Sequence, residues 1–297
     1  MNFFKRYGIL IGVNLLIMTT ISIILSVFNV RPYLAHNGID YSALMIFCLI
    51  WGFGGAFISL MLSKTMAKWM MGVQILKESE LRDAEGQWLY QTINRMSQAA
   101  GLSKMPEVGL YQSDEMNAFA TGPSRSNSLV AVSTGLLSRM NRNEVEGVLA
   151  HEISHIANGD MVTMTLVQGT VNAFGMFLAR VVGHLLSTMV DEEKAPMVRM
   201  IATIVLDIVF NILGMFLVSW VSRQREYRAD AGSAAIGGRE KMIQALQRLQ
   251  LELSPVPVEQ SPVATMQISN RRGGLLGLLS THPSLEDRIE RLKNRTA

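Results

Sequence analysis

Charge is scarce in this chain, and so are cysteine and histidine. Only 17% of its 297 residues are Asp, Glu, Lys or Arg while 49% are hydrophobic, a balance too apolar for an ordinary soluble enzyme and one that membrane-spanning helices explain. The charges nearly cancel at a net +3, which leaves no basic surplus for a nucleic-acid partner and points instead to orientation in a membrane with anionic headgroups. The single cysteine, Cys48, excludes a disulfide within the chain and agrees with a catalytic domain in a reducing compartment. There are five histidines, yet two of them, His151 and His155, stand on either side of Glu152.

The apolar excess is gathered into runs. Gly8 to Phe28 and Ser42 to Leu62 carry no charge and are long enough as helices to cross a bilayer. The first is too long for the core of a secretory signal and no small-x-small cleavage site follows it, so it reads as a retained anchor. Lys5 and Arg6 precede the first run and Lys64 and Lys68 follow the second, while the loop between has only Arg31, balanced by Asp40. The positive-inside rule then puts the N-terminus and everything after Leu62 in the cytoplasm. Two weaker runs follow later, about residues 162–190 and 200–220, interrupted by Gln168, Asn172, Arg180, His184 and Asp207. They are either two further spans or a buried hairpin. As antiparallel spans they would hold Asp207 at the depth of Arg180 and His184, and pairing with one of these is expected.

HEISH, His151 to His155, has the arithmetic of a zinc helix. Histidines four apart present both imidazoles on one face, and the glutamate between is free to act as a base while the metal polarises a carbonyl and acidifies a water. Three fixed letters recur by chance, so the plain alternative is a pair of ordinary histidines. The flanks favour the helix: Asn143 as N-cap with Glu146 three residues on, Val145, Val148, Leu149 and Ile156 at helical spacing, and Asn158-Gly159 as a stop. A hydrolytic zinc site takes three protein ligands. Glu226 is the candidate third, with Asp230 one turn away to hold the far nitrogen of a ligand histidine. The competing reading of Arg223, Arg225, Glu226, Arg228 and Asp230 is an exposed face of helical charge pairs, and that segment alone favours it.

Between the apolar runs lies a mixed segment. Asp83 to Ala100 reads as a helix ended by Gly101, with Trp88, Ile93 and Met96 as core. Val108 to Gln112, Asn117 to Thr121 and Ser128 to Val132 read as strands, with Gly122 to Asn127 as a turn. An edge formed by Asn117, Ala118, Phe119 and Ala120 beside the HEISH helix would pair with an extended substrate through backbone hydrogen bonds. After the later runs, Arg239 to Leu253 is an amphipathic helix with Met242, Ala245, Leu246 and Leu249 inward, Ser254 to Gly274 a loop, and Ser284 to Leu292 a short charged helix. His282, just before it, is on the plain reading a loop histidine near a helix start; on the functional one, His282 and Arg288 within the helix donate to the oxyanion formed in peptide hydrolysis. HEISH and Glu226 both lie close in sequence to apolar runs, so a shared metal would sit near the membrane face and would meet the membrane-proximal parts of substrates first.

The ordered set HEISHIANGD, REYRADAGSA, NAFATG and THPSLEDRIERL, with paired apolar runs before and after the metal helix, resembles the HtpX family of membrane-bound zinc metalloproteases. That family belongs to the gluzincin group, which includes thermolysin and the prenyl-protein peptidases. The resemblance implies a mainly α fold, a four-helix transmembrane part joined to a cytoplasmic α+β zincin-like metallopeptidase domain. Its parts would be residues 1–63 and 161–222 in the membrane, and 64–160 and 223–297 outside it. It implies one Zn2+ held by His151, His155 and Glu226, with Glu152 as catalytic base, Asp230 behind the ligands, and His282 and Arg288 near the transition state. It further implies a bacterial inner-membrane location and quality control of damaged membrane proteins alongside a membrane AAA protease. The rival readings are a non-catalytic zinc-binding scaffold or sensor, and a peptidase of one membrane-anchored substrate. Glu152, which a scaffold does not need, argues against the first.

Overall fold

A computed structural model describes residues 40–80, 82–253 and 280–294, with residues 19, 23, 34–35 and 38–39. In chain order its helices are α1 (Tyr41–Met71), α2 (Ala84–Ala99), α3 (Thr134–Arg139), α4 (Arg142–Asn158), α5 (Asp160–Ser187), α6 (Ala195–Ser233), α7 (Arg239–Leu253) and α8 (Leu285–Asn294). Its main strands are β1 (Gln74–Leu76), β2 (Glu107–Tyr111), β3 (Ala118–Ser124) and β4 (Asn127–Ser133). The chain divides into two units, Met1–Ser63 with Met161–Val218, and Lys64–Asp160 with Ser219–Ala297.

The first unit is built from apolar helix. Among the described residues three helices are long and apolar enough to cross a membrane: α1, α5 and the run that begins with α6. α1 and α6 outrun the apolar runs expected of them. α1 continues past Leu62 to Met71, α5 opens at Asp160 and stops at Ser187, and α6 begins at Ala195 and runs on to Ser233. Hydropathy marks where a helix is greasy, and its hydrogen-bond ladder continues into polar sequence. The expected span at 8–28 and the expected loop at 254–274 lie outside the described residues. Small residues let these helices approach closely, as in membrane bundles. A Cβ on Gly52 of α1 would fall 2.6 Å from the Ala173 backbone of α5, and one on Gly183 of α5 would fall 2.6 Å from Thr203 of α6. Asp207 pairs with Arg180 at 3.6 Å.

The second unit carries the sheet, in strand order β1-β2-β4-β3. β4 lies inside it, parallel to β2 and antiparallel to β3, and is buried along Ser128 to Ser133. Leu129 and Ala131 on one face meet Tyr111, Phe119, Val73 and Ile75. Alternation turns Val130 and Val132 to the other face, where they too are fully buried. β3 pairs with β4 on one side only and has a free edge among the described strands. The expected turn Gly122 to Asn127 shrinks to Arg125-Ser126, since both strands run longer than their apolar cores, with an irregularity between Thr121 and Ser124.

Three expectations about helix faces are corrected. The cap of α4 is Asn141, not Asn143: the Asn141 side chain accepts from the Glu144 backbone N–H while the Glu144 carboxylate accepts from the Asn141 N–H. Trp88 is only half-buried, under the Arg142 guanidinium at 5.1 Å, and Leu89 fills the core in its place. In α7, Ile243 joins Met242, Ala245 and Leu246 inside, whereas Leu249 is half-buried.

Candidate metal centre

Helix α4 meets the end of α6, the π-helical segment after it and the start of α7 without room for side chains between them. A Cβ on Gly147 of α4 would run into the Lys241 carbonyl, one on Gly232 would fall 2.7 Å from Ser154 Oγ, and one on Gly237 would fall 2.8 Å from Ala150 Cβ. Ser233 Oγ donates to the Gly147 carbonyl at 3.1 Å. This close approach of α4 to the end of α6 and a π-helical segment, Ala234–Gly238, sets the imidazoles of α4 against the carboxylates of α6. Glu226 and Asp230, one turn apart, are 1% and 3% exposed. The exposed-face reading of this segment therefore fails: Glu226 ranks among the largest fully buried side chains of the described residues.

The donor atoms of His151, His155 and Glu226 lie within 4.8 Å of one another. The two Nε2 atoms are 3.1 Å apart, His155 Nε2 is 3.4 Å from Glu226 Oε1, and His151 Nε2 is 3.5 Å from Glu226 Oε2. A tetrahedral zinc ion with bonds of about 2.0–2.1 Å has ligand-to-ligand edges of about 3.3–3.4 Å, close to those separations. The far nitrogens explain why a cation fits. His151 Nδ1 faces Asp230 at 3.0 Å and His155 Nδ1 faces Asp160 at 2.6 Å. Protons on both Nδ1 atoms satisfy those carboxylates and leave two Nε2 lone pairs confronting each other and a carboxylate, an arrangement that a shared cation relieves. Glu226 Oε1 is buried without a hydrogen bond.

Electrostatics point the same way. Burial pushes the Glu226 carboxyl up, but His151, His155 and His282 outweigh it and hold it well below the usual carboxylate range. Burial pulls His155 down, yet Asp160 and Glu226 outweigh it and raise its pKa to about 9. Asp230 behaves like Glu226: burial raises it, and hydrogen bonds from His151 and Arg288 lower it further. Each of these shifts has the same cause, carboxylates and cationic groups held against one another out of water.

The other expected residues are placed as follows. Glu152 is half-buried and its Oε2 accepts from the Ala120 backbone N–H at 2.8 Å, which ties it to β3. Ala118, Phe119 and Ala120 pair with Val132, Ala131 and Val130, while the Asn117 carbonyl accepts from the Ser133 N–H. His282 Nδ1 lies 3.0 Å from Glu226 Oε2. Arg288 is buried, with Nε and Nη2 both donating to Asp230 and Nη1 3.7 Å from Glu226. α8 is held in this position because Ile289 and Leu292 pack with Met242, Ile243 and Leu246 of α7. Arg223 Nη1 also donates to the Ser280 carbonyl at 2.8 Å, which fixes the approach to His282. Asp160 was not expected here; its signal was its position just beyond the helix stop at Gly159, in left-handed conformation at φ 71°.

Comparison with known proteins agrees with this geometry. The pattern of Peptidase family M48 matches residues 83–296. The chain is 51% identical over 295 residues to a Protease HtpX homolog of Bacillus licheniformis, covering 97% of this chain and 99% of that one. It is 47% identical over 293 residues to Protease HtpX of Thioalkalivibrio sulfidiphilus, covering 97% and 98%. The crystal structure of Ste24p from S. mikatae superposes with a TM-score of 0.62 at 19% identity, covering 97% of this chain and 64% of that longer one, a likeness of fold. With identity of this order over nearly the full length, the chain belongs to peptidase family M48, among the HtpX metalloproteases that hydrolyse peptide bonds.

Proposed function

We propose that this membrane metalloprotease is a zinc endopeptidase holding one ion per chain through His151, His155 and Glu226. The observation that carries the reading is the buried Glu226 carboxylate facing two imidazole Nε2 atoms, with Glu152 alongside on the β3 backbone. When bound, the ion supplies Lewis-acid polarisation of the scissile carbonyl and acidifies the attacking water. Glu152, oriented by the Ala120 N–H, takes the proton of that water and returns it to the leaving amine. Asp230 accepts from His151 Nδ1 and keeps that ring turned inward. His282 and the Nη1 arm of Arg288, both beside Glu226, donate to the developing oxyanion. The stretch Asn117 to Ala120, on and before the free-edged strand, binds an extended substrate by backbone pairing, which gives breadth of specificity.

On this reading the protease domain, residues 64–160 and 223–297, faces the cytoplasm of a bacterial inner membrane and cuts misfolded or damaged membrane proteins in stress-linked quality control, alongside a membrane AAA protease. The basic residues that flank the apolar runs and the resemblance of the ordered motifs support it. The test is cleavage of an unfolded protein by detergent-purified chain, native against Glu152→Gln, after both are shown to hold equal zinc. Cleavage by the native chain alone is expected. Cleavage by both would overturn the role of Glu152, and cleavage by neither, with zinc in both, would favour a scaffold.

A further inference from the structure

We propose that Asp160 is a positioning residue of the metal centre that makes His155 the stronger of the two histidine ligands. The proposal rests on the reading of His151, His155 and Glu226 as a zinc site. Asp160 Oδ2 lies 2.6 Å from His155 Nδ1, and the residue is 1% exposed. Its other oxygen, Oδ1, is buried with no hydrogen-bond partner. Among the described residues no lysine or arginine pairs with it, so its charge is shared with the imidazole alone. Its location supports the charge, since Asp160 is the first residue of the 28-residue helix α5, where unpaired N–H groups favour an anion.

His151 has a different partner. Asp230 bridges it at 3.0 Å but is clamped by Arg288 Nε and Nη2 at 2.9 and 2.7 Å. A carboxylate already neutralised by a guanidinium draws less on an imidazole proton than a bare one does. The two rings, equivalent in sequence, are therefore unequal as donors: Asp160 pulls the Nδ1 proton of His155 and enriches its Nε2, while the pull on His151 is divided.

The experiment compares the full-length chain in detergent with Asp160→Asn and Asp160→Glu. Zinc affinity is read by competition with a chelator of known strength, and cleavage is read in excess zinc. Asp160→Asn keeps the shape and an acceptor but removes the charge. It should bind zinc about 10–100-fold more weakly, the usual effect of losing such a partner. Its cleavage should recover in excess zinc. Equal zinc affinity in native chain and variant would overturn the proposal, as would cleavage that excess zinc fails to restore. Should Asp160→Asn not accumulate, Asp160→Glu displaces the charge by one methylene, and a native affinity there would overturn the proposal equally. A native chain that binds no zinc would instead defeat the metal-site reading, and the proposal with it.

Discussion

Arg288 grips Asp230 with two parallel hydrogen bonds, from Nε and Nη2, inside the unit that carries the candidate metal ligands. Both residues are almost wholly removed from water, at 7% and 3% exposure, so neither charge is tolerable without the other.

Arg288→Ala should therefore cost about 3–5 kcal/mol of stability, the range for stranding one member of a buried ion pair. Arg288→Lys should recover only part of it, because an ammonium has no planar fork to match both carboxylate oxygens. The double change Arg288→Ala with Asp230→Asn should be less damaging than the sum of the single ones. Thermal unfolding of the solubilised chain checks all three.

Gly147→Ala tests the close crossing of α4 over α7, the helix that carries Lys241. Alanine is the better helix former by about 1 kcal/mol, which predicts a gain. The new methyl meets the Lys241 carbonyl, a backbone group that cannot swing aside, and overpacking of this kind costs about 1–3 kcal/mol. A net loss of stability is expected, with zinc retention falling in parallel. An unchanged unfolding temperature would show that the helices separate freely.

Glu146 gives a pH dependence with a definite sign. Burial raises its pKa, but hydrogen bonds and charge from Lys241 and Arg95 outweigh it and hold the value below the ordinary 4.5. A carboxylate whose folded pKa is depressed stabilises the fold above its unfolded pKa, and loses that contribution as pH falls through the folded value. Glu146→Gln should thus be less stable than the parent at pH 7, with the two converging below about pH 4.5, where the parent's carboxylate protonates as well. Parallel curves across that range would contradict the assignment.

Asp207 and Arg180 form an ion pair on two apolar helices. Asp207→Asn leaves the guanidinium alone at a depth where an unpaired charge costs roughly 2.5–3.5 kcal/mol on insertion scales, and the membrane-accumulated level should drop. Adding Arg180→Gln should restore most of it. Quantifying the chain in washed membranes decides between a pair and two independent residues.

Much of this was legible in the sequence where one periodicity dominates. The α4 helix, the histidine pair on its inner face and the Gly159 stop follow from a 3.6-residue repeat, and Arg239–Leu253 appears at its observed ends. The cap was misplaced because N-x-x-E occurs twice, at Asn141 and at Asn143. Only tertiary structure tells them apart: Glu144 stays outside to close the capping box, while Glu146 is drawn in by Arg95 and Lys241. Glu226 and Asp230 read from their neighbours as a solvated charged face, and the glycine-lined approach of α4 that buries them is invisible in a one-dimensional pattern. Asp160 was lost because a helix stop hides the residue beyond it. The strand Gln74–Leu76 is three residues long, too short for alternation to register.

The parts of the centre are also spaced in time. Ribosomes deliver His151 and His155 first, Glu226 and Asp230 in the second of two long apolar helices that follow, and last His282 and Arg288, just before and within α8. Until that segment docks, Asp230 lacks its guanidinium and Glu226 lacks two of its neighbours, His282 and Arg288. On the proposed metal reading, a nascent chain is thus a protease without a finished blade, and competence waits for the last helix rather than for the histidine pair.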